Sequence, residues 1–158
     1  MGSNVTNEEF FALVLQHFGW LQMSHEFREA SRRGRVGYAE ITLAGAKAYI
    51  RVGFERGDWL VYCSIGLVTA GRIPRVQHPV PTNPDSIDEV GLLPILRQAG
   101  YRDFSAVGRL TSEDTGALDS AVEQISDLVA RYAISMLDGD RSLLTDVAKG
   151  LVAQTYGR

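Results

Sequence analysis

Three consecutive segments of the chain alternate apolar and polar residues, and short connections containing Gly45 and Gly57 join them. The segments cover residues 36–43, 47–54 and 59–65. A period of two is typical of β-strands that bury one face. Connections this short join antiparallel neighbours, because parallel strands need a crossover of about a dozen residues or more. The pattern therefore predicts an antiparallel meander with one apolar and one polar face.

Apolar residues with helical spacing occur on both sides of this meander. Thr6 and Glu9 form a capping-box pattern at the start of a predicted helix over residues 7–18. Residues 118–136 carry apolar side chains at steps of three and four, and Asp140 is the predicted N-cap of a last helix. The expected fold is α+β, with a meander of three to four strands, an N-terminal helix before it and C-terminal helices packed on it.

The segments between these elements are less determined. Residues 21–27 alternate and favour a first strand, although residues 26–33 could equally extend as a helix, so the sequence leaves this choice open. Four of the five prolines lie within residues 72–85 and predict a loop, whether ordered or not. Residues 86–100 are expected to form a bent helix that Pro94 interrupts.

The composition predicts a single domain, residues 1–158, in the cytoplasm. A hydrophobic content of 45% is enough for one core. The one cysteine cannot form an internal disulfide, which favours a reducing compartment. No apolar run reaches the ~20 residues of a membrane span, and residues 1–9 lack the pattern of a signal peptide. We therefore expect no membrane partner and no export.

The charge of the chain argues against a nucleic-acid partner. The formal net charge is -3 and the pI is about 5.6, whereas nucleic-acid-binding domains are usually strongly basic. The charge is uneven, because a basic cluster lies within residues 28–35 and residues 111–158 hold eight acidic side chains against four basic ones. Both stretches are interpreted as solvated surfaces, with a binding role as the alternative.

Cys63 is the obvious candidate nucleophile, and His17, His25 and His78 are the histidines that could activate it. The cysteine alternates with apolar residues on the predicted core face, which favours a structural role, since free cysteine is among the most buried residue types. The histidines also lack the close pairing of zinc ligands. The sequence therefore predicts neither catalysis by Cys63 nor a metal, and no cofactor.

Other catalytic signatures are missing from the sequence. It contains no dinucleotide-binding or phosphate-binding glycine loop and no nucleophile elbow. The run from Asp138 to Asp140 is interpreted as helix punctuation, because the later oxygen ligands of a calcium loop are absent. These observations favour a protein that is not an enzyme.

The polar face of the meander is the predicted contact surface for a protein partner. Tyrosines among polar groups can anchor a partner, and the alternative is that helices cover this face and the tyrosines are half-buried. The other candidate contact regions are the proline loop over residues 72–85, the turn-forming tip at residues 56–58 and the acidic helical region. The predicted partner-binding residues are Tyr38, Glu40, Tyr49, Arg51, Arg56, Asp58 and Tyr62, and the same face also carries Thr42 and Ser64.

Three pieces of the chain carry a resemblance to known proteins. They are the opening helix with residues 18–20, the end of the meander at residues 57–61, and the helix pair over residues 132–144. These pieces resemble small bacterial α+β proteins, some similar to immunity proteins of polymorphic toxin systems. The resemblance implies a module that neutralises a toxin by stoichiometric occlusion.

Two alternatives stay open at this stage. The first is an acidic secretion-type chaperone, a class that pairs helices with a small antiparallel sheet and commonly works as a homodimer. The second is a small-ligand-binding module or enzyme that uses a pocket near Cys63. Such a module would have a concave site with convergent polar groups.

Overall fold

The computed structural model describes residues 5–74 and 81–157. Two short helices open the chain, five strands follow, and helices complete it. The elements are α1 (Asn7–His17), α2 (Gly19–His25), β1 (Arg28–Arg35), β2 (Tyr38–Ala44), β3 (Ala48–Glu55), β4 (Leu60–Leu67), β5 (Glu89–Gly91), α3 (Leu92–Gln98), α4 (Thr115–Tyr132), α5 (Ile134–Leu137) and α6 (Arg141–Tyr156). Single 3-10 turns occur at Pro84–Ser86 and Phe104–Ala106. No described helix is both long and apolar enough to cross a membrane.

The strands form one antiparallel sheet in the order β1-β2-β3-β4-β5. The α+β class and the antiparallel meander are thus confirmed, and the three alternating segments become β2, β3 and β4. The sheet has five strands rather than three to four, because β1 and β5 extend it at its two edges. β5 is short and pairs only with Ser64, Ile65 and Gly66 of β4.

One face of the sheet forms the protein core. Its side chains from the three central strands are all buried: Ala39, Ile41, Leu43, Ala48, Ile50, Val52, Phe54, Val61, Cys63, Ile65 and Leu67. Helices α1, α4 and α5 pack on this face. Burial of these apolar side chains is the main favourable contribution to folding, at about 25 cal/mol for each Å² removed from water.

The predicted strand over residues 21–27 is wrong. Residues 19–25 form α2, which ends where Glu26 adopts a left-handed conformation with φ of 57°. The strand lies instead at β1, where a helix was the alternative, and all eight of its residues are exposed. A strand with two solvated faces has no apolar alternation, so periodicity could not reveal it.

The predicted bent helix over residues 86–100 is also wrong. The chain forms β5 first and then α3, in whose first turn Pro94 lies. A proline is tolerated there because the first backbone N–H groups of a helix need no intrahelical acceptor. The helix predicted to run through residues 118–136 breaks at Ala133, which separates α4 from α5.

The predicted helix ends are confirmed where polar side chains cap them. Thr6 accepts a hydrogen bond from the Glu9 N–H at 3.1 Å, and Asp140 accepts from the Ser142 N–H at 2.9 Å. Such caps satisfy backbone donors that a helix leaves unpaired. Of the predicted proline loop, residues 75–80 lie outside the described residues, and His78 with them.

A short backbone segment supports the outer edge of β4 beyond the end of β5. The Val61 N–H donates to the Gly108 carbonyl at 2.8 Å, and the Leu110 N–H donates to the Trp59 carbonyl at 2.9 Å. Gly108 has a φ of 78° and approaches β4 so closely that a Cβ atom would lie 2.0 Å from the Val61 carbonyl oxygen. Glycine is the residue that permits both features.

We therefore expect Gly108→Ala to destabilise the fold more than Gly71→Ala. Gly71 has a similar φ of 73° but nothing within 4 Å of its Cβ position. Gly71→Ala, the control, should lower the free energy of unfolding by about 1–2 kcal/mol, because alanine is strained in the left-handed conformation. Gly108→Ala should lower it by a further ~1–3 kcal/mol, because its Cβ atom overpacks against β4. Urea unfolding measures both losses, and equal losses would contradict the close approach.

Candidate functional site

Two tyrosines lie flat across glycines on the polar face of the sheet. Tyr62 of β4 is paired with Gly53 of β3, and Tyr49 of β3 is paired with Gly66 of β4. A Cβ atom on either glycine would come within 2.1–2.3 Å of the ring carbon that carries the opposite hydroxyl. Only a residue without a side chain leaves room for these rings. The two phenol groups therefore project along the sheet surface.

Arg51 lies between these two tyrosines and faces two glutamates. Its Nε donates to Glu89 Oε1 at 3.0 Å, and one of its terminal nitrogens lies 4.0 Å from Glu40 Oε1. Another terminal nitrogen donates to the Pro74 carbonyl at 3.1 Å. The guanidinium also stacks 5.2 Å from the centroid of the Tyr49 ring. Arg51 thus links β3, β5 and the chain after β4.

The phenols complete this network from both sides. Tyr49 donates to Glu89 at 2.6 Å, and Tyr62 donates to Glu40 at 3.0 Å. Tyr38 donates to Glu40 at 2.7 Å. Its hydroxyl oxygen also lies 2.9 Å from the Tyr62 hydroxyl, whose single hydrogen is shared between Glu40 and Tyr38. The hydrogen bonds of two phenols to Glu40 both involve Oε2, so Oε1 has no hydrogen-bond donor among the described residues.

Burial keeps these phenols protonated. Loss of solvent raises the pKa of Tyr49 far above its usual range, and its hydrogen bond to Glu89 adds to the effect. Burial likewise raises the pKa of Tyr62, with the Tyr38 hydroxyl as the next cause. Both groups therefore act as hydrogen-bond donors to carboxylates over the whole physiological pH range.

A cavity of about 530 Å³ lies beside this network. Its polar lining consists of Tyr38, Glu40, Arg51, Glu55, Tyr62, Ser64 and Glu89. Its apolar lining consists of Leu60, Val61, Leu92, Leu93, Pro94, Val107 and Ile125, and Cys63 and Gly91 complete it. The volume and the mixed lining are those of a small-molecule site.

The structure brings together four of the seven predicted partner-binding residues, namely Tyr38, Glu40, Arg51 and Tyr62, in this cavity wall. Tyr49 belongs to the same network but is 0% exposed. Arg56 and Asp58 lie apart, at the β3-β4 connection. Arg56 is used to hold the N-terminal region, because it donates to the Val5 carbonyl and, at 2.7 Å, to Asn7.

Sequence reasoning missed Glu89, which completes the network. The sequence predicted a helix for the segment that contains Glu89, and this prediction did not place Glu89 next to the sheet. Glu89 accepts from Ser64 as well as from Tyr49 and Arg51. No local signal identifies it, because its partners are at least 25 residues away in the sequence.

Cys63 is buried, as predicted. Its Sγ contacts the Ser64 carbonyl at 3.9 Å, and no contact to an imidazole occurs in residues 5–74 and 81–157. His17 hydrogen-bonds Asp119 at 2.5 Å, and His25 lies 3.3 Å from Asp138. Burial, followed by the charge of Glu89, raises the pKa of the Cys63 thiol strongly. The thiolate, which is the nucleophilic form, is therefore disfavoured.

His17, Asp119 and Glu123 offer ligand atoms within 4.8 Å of one another. In the described part of the chain, these three side chains are the ones close enough together to hold a metal ion. The direct hydrogen bond between His17 and Asp119 accounts for the placement of the first two, while Glu123 is exposed. The arrangement is therefore that of a partly buried histidine with a surface partner.

The opposite edge of the sheet is basic. β1 is the outermost strand, and it carries Arg28, Arg32, Arg33 and Arg35. Arg32 is paired with Glu29 at 2.6 Å and with Glu8 at 3.4 Å. The other three arginines have no carboxylate within 4 Å in the portion of the chain that the structure describes. The edge therefore combines free backbone groups with uncompensated positive charge.

Comparisons with known protein families, with curated proteins and with solved structures find no match to this chain.

The burial of Cys63 predicts that its thiol reacts slowly in the folded protein. We expect iodoacetamide to alkylate it at least about a hundredfold more slowly in buffer at pH 8 than in the same buffer with 8 M urea, because burial disfavours the thiolate. Mass spectrometry follows the reaction, and the single cysteine makes the readout unambiguous. Equal rates in both conditions would contradict a buried, unactivated thiol.

Proposed function

We propose that this chain is a non-enzymatic protein-binding module that takes an acidic, extended segment of a partner along β1. The observation that carries the proposal is the basic edge strand, whose eight residues are all exposed. An edge strand presents unpaired N–H and C=O groups on its outer side. Extended peptides add to such edges through main-chain hydrogen bonds, and side chains then provide specificity.

The outer backbone of β1 is exposed and has few hydrogen bonds within the described residues. The one described hydrogen bond that reaches a backbone group of β1 from outside the sheet is from the Asn7 side chain to the Arg35 carbonyl, at 3.3 Å. Residues 31–35 pair with β2 in continuous register, and the irregularity lies between Glu29 and Ser31. This stretch supports a short ladder with an incoming strand.

The charge of this edge favours an acidic partner segment. Arg28, Arg33 and Arg35 are uncompensated, so carboxylates opposite them gain attraction that water and salt only partly screen. A second copy of this chain is a poorer occupant, because two β1 strands side by side would bring arginines together. Like charges directly opposite one another destabilise a strand pair.

The resemblance noted above makes a toxin the favoured class of partner, neutralised in the cytoplasm by occlusion. A secretion-type chaperone is the second candidate, since an edge that accepts an extended segment also suits an unfolded client. The two differ in the state of the partner. An immunity protein binds a folded toxin, whereas a chaperone binds the client before it folds.

A peptide as long as β1, with glutamate alternating with valine, tests the proposal. We expect fluorescence anisotropy to show that the peptide binds and that its affinity falls as the salt concentration is raised. Binding should also slow the hydrogen exchange of the β1 amides. A peptide with lysine in place of glutamate should not bind. The double variant Arg28→Glu/Arg33→Glu should lose at least roughly tenfold in affinity, about 1.4 kcal/mol.

The matched control is Arg102→Glu/Arg131→Glu, which makes the same charge change at exposed sites away from β1. We expect the control to retain the affinity of the natural protein. Equal losses in both double variants would mean that net charge and not β1 determines binding. Tighter binding of a single-stranded oligonucleotide than of the acidic peptide would also contradict the proposal.

A further inference from the structure

The cavity on the polar face lies at a gap in the edge of β4, and its lining extends across the sheet to Tyr38 and Glu40 of β2. β5 pairs with β4 only from Ser64 onward, and residues 107–110 contact β4 only up to Val61. Residues on both sides of this gap, Gly91 and Val107 among them, line the cavity. The proposal for β1 makes no use of this space.

The charged groups of the cavity leave an excess of negative charge. Its lining contains three carboxylates, Glu40, Glu55 and Glu89, and one guanidinium, Arg51, which gives a formal charge of -2. Glu89 is compensated directly by Arg51 at 3.0 Å. The cavity thus has two carboxylates without a hydrogen-bonded cation in the described residues, namely Glu40 and Glu55.

Glu40 is the better placed of these two carboxylates. Its side chain is only 12% exposed, and its Oε1 lies 4.0 Å from the nearest guanidinium nitrogen. The other oxygen accepts from Tyr38 and Tyr62, which fixes the orientation of the carboxylate. Oε1 has no hydrogen-bond donor within the described residues, and an ionised carboxylate oxygen in so enclosed a side chain favours a cationic donor at that position.

The other part of the cavity wall is apolar. Leu93 and Pro94 at the start of α3 and Val107 line the same cavity as the carboxylates. A simple inorganic cation would leave this wall in contact with water, whereas an aliphatic body would bury it. An anion would be repelled by the carboxylates, and a neutral polar molecule would gain little from either wall.

We propose that this cavity binds a small organic cation, an alkylammonium with an aliphatic body. The ammonium group donates to Glu40 and lies near Glu55, and the body packs on Leu93, Pro94 and Val107. The tyrosines hold Glu40 in position, and Arg51 holds Glu89 away from the ligand.

Calorimetric titration with hexylammonium tests this site. The comparison compounds are hexanol, which has the same body without charge, and hexanoate, which has the opposite charge. We expect saturable binding of hexylammonium at one site, binding of hexanol weaker by at least roughly tenfold, and no binding of hexanoate. Binding of hexanoate as tight as that of hexylammonium would overturn the proposal.

Variants locate the binding in the cavity. Glu40→Gln and Glu55→Gln should each weaken hexylammonium by at least roughly tenfold, and Glu113→Gln, an exposed control outside the cavity, should not. Glu40 supports the tyrosines, so circular dichroism is used to verify that the Glu40→Gln protein is folded. Glu55→Gln breaks no described hydrogen bond and is therefore the independent test. Unchanged affinity in a folded Glu55→Gln protein would overturn the placement of the cation.

Discussion

The ion pair between Arg51 and Glu89 joins the middle of the sheet to its last strand, and the polar face depends on it. The pair spans β4, whose Ser64 hydroxyl donates to the same glutamate. Tyr49 is attached to the network through Glu89, and the chain after β4 is attached through the Pro74 carbonyl. The side chains of the pair are only 12% and 18% exposed. Removing Arg51 would leave Glu89 as a mostly buried carboxylate without a cation.

Because these polar groups bind one another, the two proposals place recognition at the edges of the sheet and not on its face. Tyrosines that could anchor a partner are hydrogen-bonded to carboxylates or buried, so they shape a cavity and do not project from a flat surface. The two edges differ in charge. β1 is basic and fully exposed, whereas the cavity beside β4 has more carboxylates than guanidinium groups. In the two proposals, an acidic segment binds along β1 and an organic cation binds in the cavity beside β4.

The central strands could be predicted from the sequence because one face of each is buried, which produces the alternation that β2, β3 and β4 show. β1 could not, since it buries neither face and its residues carry no periodic signal. Within the candidate site, alternation alone placed Tyr38, Glu40, Arg51 and Tyr62 on one face. It could not indicate that they bond to one another or to Glu89, because hydrogen bonds between distant segments depend on the register of the whole sheet.

A double-mutant cycle with Arg51→Met and Glu89→Gln tests the role of this ion pair most directly. Urea unfolding followed by tryptophan fluorescence measures the stability of the natural protein, each single variant and the double variant. Arg51→Met is expected to cost about 3–5 kcal/mol, because it leaves Glu89 without a cation. Glu89→Gln should cost less, because Arg51 still lies 4.0 Å from Glu40. The double substitution should cost less than the sum of the two by about 1–3 kcal/mol. Losses that add to within about 0.5 kcal/mol would mean that the two side chains are independent, and the account of the polar face would be wrong.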